Sequence, residues 1–308
     1  MSANCRLCSS LNTKQLFVSE NIHGKNKLSQ EKFSVCECMD CRITFTDVSV
    51  DNGFYSRYYP ENYYETSRGP AILNGILSLL EKIGFRRKLK LILKHKPAGN
   101  RVLEIGCAKG KFLNSLPPIF KKFGVEINDR GYQYIRENYP EITIYTEDIE
   151  SKVFDSPDAP YDVIVMWHVF EHVKDPESFI QRLATLLSKN GVFIFEVPNR
   201  NSLGFRWTQK KWFHLDTPRH LFHYNFCSMK RLLEKHGLQI IQCSGNAIEY
   251  WQDLPVSICK RFLTKKPLNK IIVWGFGIPM GFLARLFSSL FLTQFAETNT
   301  YVVKHNPT

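Results

Sequence analysis

Acidic residues are in short supply: 29 Asp and Glu stand against 41 Lys and Arg, a formal charge of +12. That balance suits anionic partners such as nucleic acid, anionic lipid headgroups or phosphorylated substrates, or it marks a solvated basic surface. No internal repeat and no low-complexity tract occurs, which excludes a solenoid and a disordered chain. No Arg-rich or apolar leader opens the sequence, and Met1–Ser10 is polar, so a cytosolic protein is expected. Nine cysteines in that setting point to metal ligands or buried thiols more than to disulfides. What is present is 308 residues, 44% hydrophobic and 13% aromatic, enough for one sizeable domain plus a small module.

Five regions are expected. Residues 1–50 form a cysteine-bearing module. Residues 51–96 form a connector rich in Tyr (Tyr55, Tyr58, Tyr59, Tyr63, Tyr64) and a helix over Ala71–Lys96, stopped by Pro97. Across 97–250 strand and helix patterns alternate. Strands are predicted at Arg101–Ile105, Phe123–Ile127, Ile142–Tyr145, Tyr161–Trp167, Gly191–Val197 and Leu238–Cys243. Helices are predicted at Asp129–Tyr139, Asp175–Ser188 and Asn225–His236. Asp175 offers an N-cap with Pro176 in the first turn, and Gly237 ends the last helix. Such alternation predicts an α/β parallel sheet with helices on both faces. Residues 251–298 carry an apolar and basic insertion, and 299–308 a last strand and tail.

The most informative stretch is Arg101–Gly110. An apolar run carrying Glu104 ends in a small-residue turn, Gly106-x-Ala108-x-Gly110, with a helix-like segment from Lys111. Such a turn lets backbone approach a nucleotide-like ligand. Its spacing differs from the dinucleotide fingerprint G-x-G-x-x-G. Glu126, at the end of the next strand, is placed to accept from two ribose hydroxyls.

These residues resemble the first motif of the class I S-adenosylmethionine-dependent methyltransferases, acid-x-Gly-x-Gly-x-Gly, with Ala108 in place of the middle Gly. The resemblance continues through Gly124–Ile127, Glu147-Asp148-Ile149 and Tyr161–Val173, about the middle half of the chain. It implies a Rossmann-like methyltransferase sheet and the cofactor S-adenosylmethionine. The turn, with Glu104, Gly106, Cys107, Ala108 and Gly110, would cradle the methionine and ribose part. Glu126 and Ile127 would serve the ribose, Asp148 and Ile149 the adenine, and Trp167 and His168 the methionine end. A positive φ at Ala108 would be disfavoured.

Cys5-x-x-Cys8 and Cys38-x-x-Cys41 are two knuckle-spaced pairs, so Cys5, Cys8, Cys38 and Cys41 are expected to hold a closed structural Zn2+. Cys36 is a spare, and Cys107, Cys227, Cys243 and Cys259 suit packing. A four-cysteine module followed by Tyr58-Tyr59-x-x-Asn62-Tyr63-Tyr64 resembles bacterial methyltransferases acting on sugars, small metabolites and surface-polysaccharide precursors. In that group the connector could close over the cofactor.

After Asn199 comes a polar and aromatic insertion with Trp212, His214, Asp216, Arg219, His220, His223 and Tyr224. It lies beyond the carboxyl end of a strand, where open α/β sheets place ligands. A hydroxyl or carbon acceptor needs a base, for which His suits neutral pH. Candidates are His220 first, then His168 and His172.

Ile271–Leu292 is long enough to span a bilayer core of about 30 Å. It is broken by Gly275, Gly277, Pro279 and Gly281, carries Arg285, and precedes a short strand at Thr300–Lys304. A helical hairpin before the last strand is expected, packed on the domain, on a partner, or at an anionic membrane surface beside Lys260–Lys270. The chain is therefore read as cytoplasmic, with a peripheral place at the inner face of the membrane as an option. The acceptor is a small molecule, sugar or lipid-linked precursor. RNA methylation through a zinc ribbon is the second reading, less favoured because the positive charge sits beside apolar segments, and a non-catalytic scaffold is the third.

Overall fold

The computed structural model describes residues 3–21, 31–51, 53–59, 71–95, 99–147, 149, 156–246, 253, 256–258 and 295–307. Two sheets organise them. A four-stranded sheet contains β1 (Thr13–Glu20), β2 (Lys32–Cys38), β3 (Thr44–Asp47) and β9 (Phe222–His223) in that order. Between β3 and the second sheet run α1 (Phe54–Tyr58) and α2 (Ala71–His95).

The second sheet has seven strands. Its chain order is β4 (Arg101–Ile105), α3 (Lys111–Ser115), β5 (Lys121–Val125), α4 (Asp129–Asn138), β6 (Ile142–Tyr145), β7 (Tyr161–Trp167), α5 (Pro176–Leu186), β8 (Leu187–Pro198), α6 (Leu203–Thr208), α7 (Phe226–Lys235), β10 (Leu238–Asn246) and β11 (Thr298–His305). The spatial order is β10-β11-β8-β7-β4-β5-β6. β8, β7, β4, β5 and β6 run parallel, and β11 lies antiparallel between β8 and β10. This is the expected Rossmann-like methyltransferase architecture, with the last strand inserted antiparallel.

Alternation builds the two faces. Leu103, Ile105, Ile164, Met166, Phe193 and Phe195 pack to one side of the sheet, and Val102, Val163, Val165, Val192 and Ile194 to the other. The first face continues without a break into Cys5, Cys36, Phe45 and Phe222. The cysteine module thus shares its core with the main sheet, and its fourth strand, β9, comes from far along the chain.

Local chemistry sets the helix ends. Asn128 caps α4 by accepting from the N–H groups of Arg130 and Gly131, and Asp175 caps α5 by accepting from Ser178. Asn225 and Ser228 form a reciprocal capping box on α7, and Gly237 follows it with φ +71°. The predicted helix Asp175–Ser188 is too long. Leu187 turns extended and pairs with Tyr161, so burial beside β7 outcompetes the last helical turn. Likewise β5 starts and ends two residues earlier than the predicted Phe123–Ile127.

Tyr63, Tyr64, Asp148 and Ile271–Leu292 lie outside the described residues, so the expectations for the connector's second half, the adenine carboxylate and the apolar hairpin have no structural counterpart here. Among the described residues no helix is long and apolar enough to cross a membrane.

Candidate active site

At the carboxyl end of β4 the chain turns sharply. Gly106 has φ +68° and Gly110 φ +65°, and a Cβ on Gly106 would meet Val169 at 2.5 Å, so glycine is required there by both dihedral and space. Ala108 also adopts a positive φ, +50°, the left-handed conformation that costs an L residue about 1 kcal/mol. The turn is pinned rather than loose: the N–H groups of Gly106 and Cys107 donate to Val125 O, and Ala108 N–H donates to Glu126 Oε2 at 2.8 Å. The other Glu126 oxygen accepts from Asn128 N–H at 2.8 Å. Helix α3 is one turn long, so the loop itself, not a helix end, shapes this wall.

A cavity of about 490 Å³ opens beside the turn. Gly106, Ala108, Glu126, Ile127, Ile149, Trp167 and His168 of the expected cofactor set line it, joined by Asn128. Glu104, Cys107 and Gly110 do not line it. Glu104 is buried at the strand end with Oε2 unpartnered, and burial pushes its carboxyl up to about 8 against the pull of Lys88. Cys107 is a buried thiol whose burial pushes its pKa upward, in keeping with packing.

The opposite wall carries Tyr55, Tyr59, His168 and His172. His168 follows β7 with φ +55°, a strained conformation for this residue type. It is held between two fully buried carboxylates, Glu171 at 3.2 Å and Glu196 at 3.4 Å. Burial alone would push it down, but Glu171 and Glu196 outweigh burial and carry it up to about 10. Burial opposes ionisation of Glu171, yet His168 holds it down to about 2. Arg87 of α2 pairs with Glu196 at 2.8 Å. His168 is therefore an imidazolium at neutral pH and has no lone pair with which to act as a base.

His220, expected to meet the acceptor, stands off the cavity. His220 is buried behind His172, ring to ring at 4.7 Å, with Nδ1 donating to His214 O at 2.7 Å, and it does not line the cavity. Burial, and then His172, push it down to about 3. His172 is the imidazole at the wall: its Nδ1 lies 3.0 Å from Arg219 O and 2.8 Å from Tyr59 Oη. A carbonyl can only accept, so Nδ1 carries a proton, and in the neutral imidazole the lone pair is on Nε2. The Glu171 and Glu196 clamp and the Arg219 carbonyl escaped sequence reasoning. The only sequence signal was Glu171 standing next to His172.

The four knuckle cysteines meet as expected. The Sγ atoms of Cys5, Cys8, Cys38 and Cys41 lie within 4.8 Å of one another, with Cys5–Cys41 and Cys8–Cys38 both at 3.6 Å. A Zn–S bond of about 2.3 Å gives a tetrahedral edge of about 3.8 Å, so the set fits a zinc ion without rearrangement. Cys41 N–H also points to Cys38 Sγ at 3.4 Å. Cys36 is buried on β2 and outside the cluster.

The seven-stranded order with its antiparallel β11, the pinned glycine turn and a carboxylate at the next strand end define a Rossmann-like methyltransferase. A family model described as a methyltransferase domain matches residues 81–243, more than half of the chain, and the chain belongs to that family. It is 28% identical over 157 residues to a probable S-adenosylmethionine-dependent methyltransferase of Mycolicibacterium smegmatis, covering 50% of this chain and 57% of that protein. It is 27% identical over 122 residues to the ubiquinone biosynthesis O-methyltransferase of Proteus mirabilis, covering 38% of this chain and 46% of that one. The chain spans about half the length of the curated relatives it matches. The solved S-adenosylmethionine-dependent methyltransferase of Archaeoglobus fulgidus aligns at 18% identity and a TM-score of 0.49, over 72% of this chain and 93% of that one.

Proposed function

We propose that the protein transfers a methyl group from S-adenosylmethionine to a small acceptor, a sugar or a lipid-linked surface-polysaccharide precursor. The observation that carries this reading is the cavity that the pinned turn and Glu126 line together with Tyr59 and His172. The residues fit the cofactor: a glycine turn that a Cβ would fill, Glu126 at the next strand end, and the buried unpartnered oxygen of Glu104 close behind. Gly106 and Ala108 would border its amino-acid and ribose part, Glu126 the ribose hydroxyls, Asp148 and Ile149 the adenine, and Trp167 and His168 the methionine end. When bound, the cofactor supplies a methyl on a positively charged sulfur.

The chain's own task is alignment, water exclusion and proton handling. His172 takes the acceptor's proton at its lone-pair nitrogen. Tyr55 and Tyr59 give an aromatic wall suited to a sugar ring. His168, locked as a cation, holds Glu171 and Glu196 and shapes the wall rather than moving a proton. The four cysteines hold a structural Zn2+, which leaves no open position for chemistry. Isothermal titration with S-adenosylhomocysteine tests the reading. Saturable micromolar binding that weakens at least tenfold in Glu126→Ala is expected; no saturable binding by the wild-type chain overturns it.

A further inference from the structure

The cysteine module and the cavity wall meet at one buried hydroxyl. Thr46 sits on β3, inaccessible to solvent, directly beyond the pairing of Thr44 with His223 and Phe45 with Phe222. Its N–H donates to Leu221 O at 2.9 Å, and its Oγ1 donates to His220 O at 2.7 Å. With its proton so used, Oγ1 accepts from His223 Nε2 at 3.3 Å, which agrees with His223 Nδ1 being without a partner. Leu221 N–H in turn donates to Glu171 O at 2.8 Å. The segment gripped by Thr46 therefore begins one residue after the Arg219 carbonyl that holds His172.

On the other side Thr46 is close to the knuckle. Strand β3 pairs with β2 from Glu37–Thr44 to Ser34–Asp47, and β2 ends at Cys38, whose N–H donates to Ile43 O at 2.9 Å. A continuous path of paired backbone thus runs from the four-sulfur cluster through β2 and β3 to the support of one imidazole. None of it passes through the glycine turn or Glu126.

We propose that Thr46 is a positioning residue through which the four-cysteine module sets the place and tautomer of His172. The inference rests on the assignment of His172 to the acceptor's proton. It gives the module a role at the acceptor side: it holds the Arg219 carbonyl where His172 must donate Nδ1–H, so the lone pair stays on Nε2. Around His172 the polar neighbours are Tyr59, Glu171, Arg219 and His220; of these His220 opens the gripped segment and Arg219 directly precedes it.

The test is histidine 15N NMR on the full zinc-loaded chain, with S-adenosylhomocysteine titration alongside. Wild type is expected to show His172 as the Nδ1–H tautomer. Thr46→Val, which keeps shape and removes the hydroxyl, is expected to give mixed tautomers. Thr46→Ser is expected to restore the single tautomer, and ligand affinity is expected to stay within twofold throughout. An unchanged His172 tautomer in Thr46→Val overturns the proposal. If Thr46→Val does not fold, chelation of zinc from wild type replaces it. A shifted tautomer with retained ligand binding then supports the proposal, and an unshifted tautomer or loss of ligand binding together with zinc overturns it. Failure of wild type to bind S-adenosylhomocysteine would instead overturn the methyl-transfer reading, and the tautomer result would stand apart from it.

Discussion

The two walls of the cavity are built in different ways. The cofactor wall comes from one contiguous stretch, residues 101–149, with its strands joined by short connections and its turn pinned to the neighbouring strand end. The acceptor wall is gathered from distant places: Tyr59 comes from the connector and His168 and His172 from after β7, and behind them stand Glu196 on β8 and Arg219 and His220 of the insertion, where Thr46 of the module grips the His220 carbonyl. The first wall is specified by local spacing and the second by long-range hydrogen bonds between buried groups. A local wall can keep its ligand while a gathered wall changes its chemistry.

Breaking the four-cysteine cluster is the strongest way to separate the two. Structural zinc contributes folding energy outright, on the order of 10 kcal/mol in small zinc domains. Cys38→Ser should therefore abolish zinc content and lower the melting temperature, while residual folded protein still binds S-adenosylhomocysteine; equal loss of both would erase the distinction between walls. Next in size, His172→Ala should lower methyl transfer by about 10²–10⁴-fold at unchanged ligand affinity. His220→Ala should cost far less, because His220 faces away from the cavity. Comparable losses in both variants would return the base to His220.

A pH titration of stability reads one buried group behind the cofactor wall and one on the acceptor wall. Glu104 has a folded pKa raised to about 8 from an ordinary carboxyl, and His168 one raised to about 10. Each gives stability that is fully present below its unfolded pKa and is lost as pH rises through its folded value. The melting temperature should fall between about pH 4.5 and pH 8 through Glu104 and between about pH 6.5 and pH 10 through His168. His168→Gln should remove the upper part of that fall, and a melting temperature that rises with pH would refute both assignments. The smallest effect is at Ala108. Ala108→Gly relieves a left-handed alanine and should stabilise the chain by about 1 kcal/mol or less, read by chemical denaturation. A destabilised variant would show that the alanine methyl packs to advantage.

The same contrast explains what was legible in the sequence. The strand–turn unit, Glu126, the knuckle spacing and the cap at Asp175 are readable because each is a short-range rule. The sequence also named His172 and Tyr59. It could not rank His172 above His220, because that order depends on a carbonyl at 219 and a hydroxyl at 46 that are neighbours only after folding. The two-residue strand β9 is beyond any periodicity, since it exists through its pairing with β3. The overlong helix at Asp175–Ser188 failed where sheet pairing overrides helical spacing. The positive φ at Ala108 was the anticipated cost, and it is present.

The register of the last two strands has a consequence for how such a protein can diversify. Asn246 at the end of β10 is the direct partner of Thr298 at the start of β11, although some fifty residues separate them in sequence. Closing a longer loop costs little, because the entropy grows only logarithmically with length. Two of those residues bond to the polar insertion after β8: Asp253 Oδ2 meets His214 Nε2 at 2.5 Å, and Ser257 Oγ accepts from Phe213 N–H. Such an insertion point lets the length of chain between two paired strands vary while the strand order and the glycine turn stay as they are.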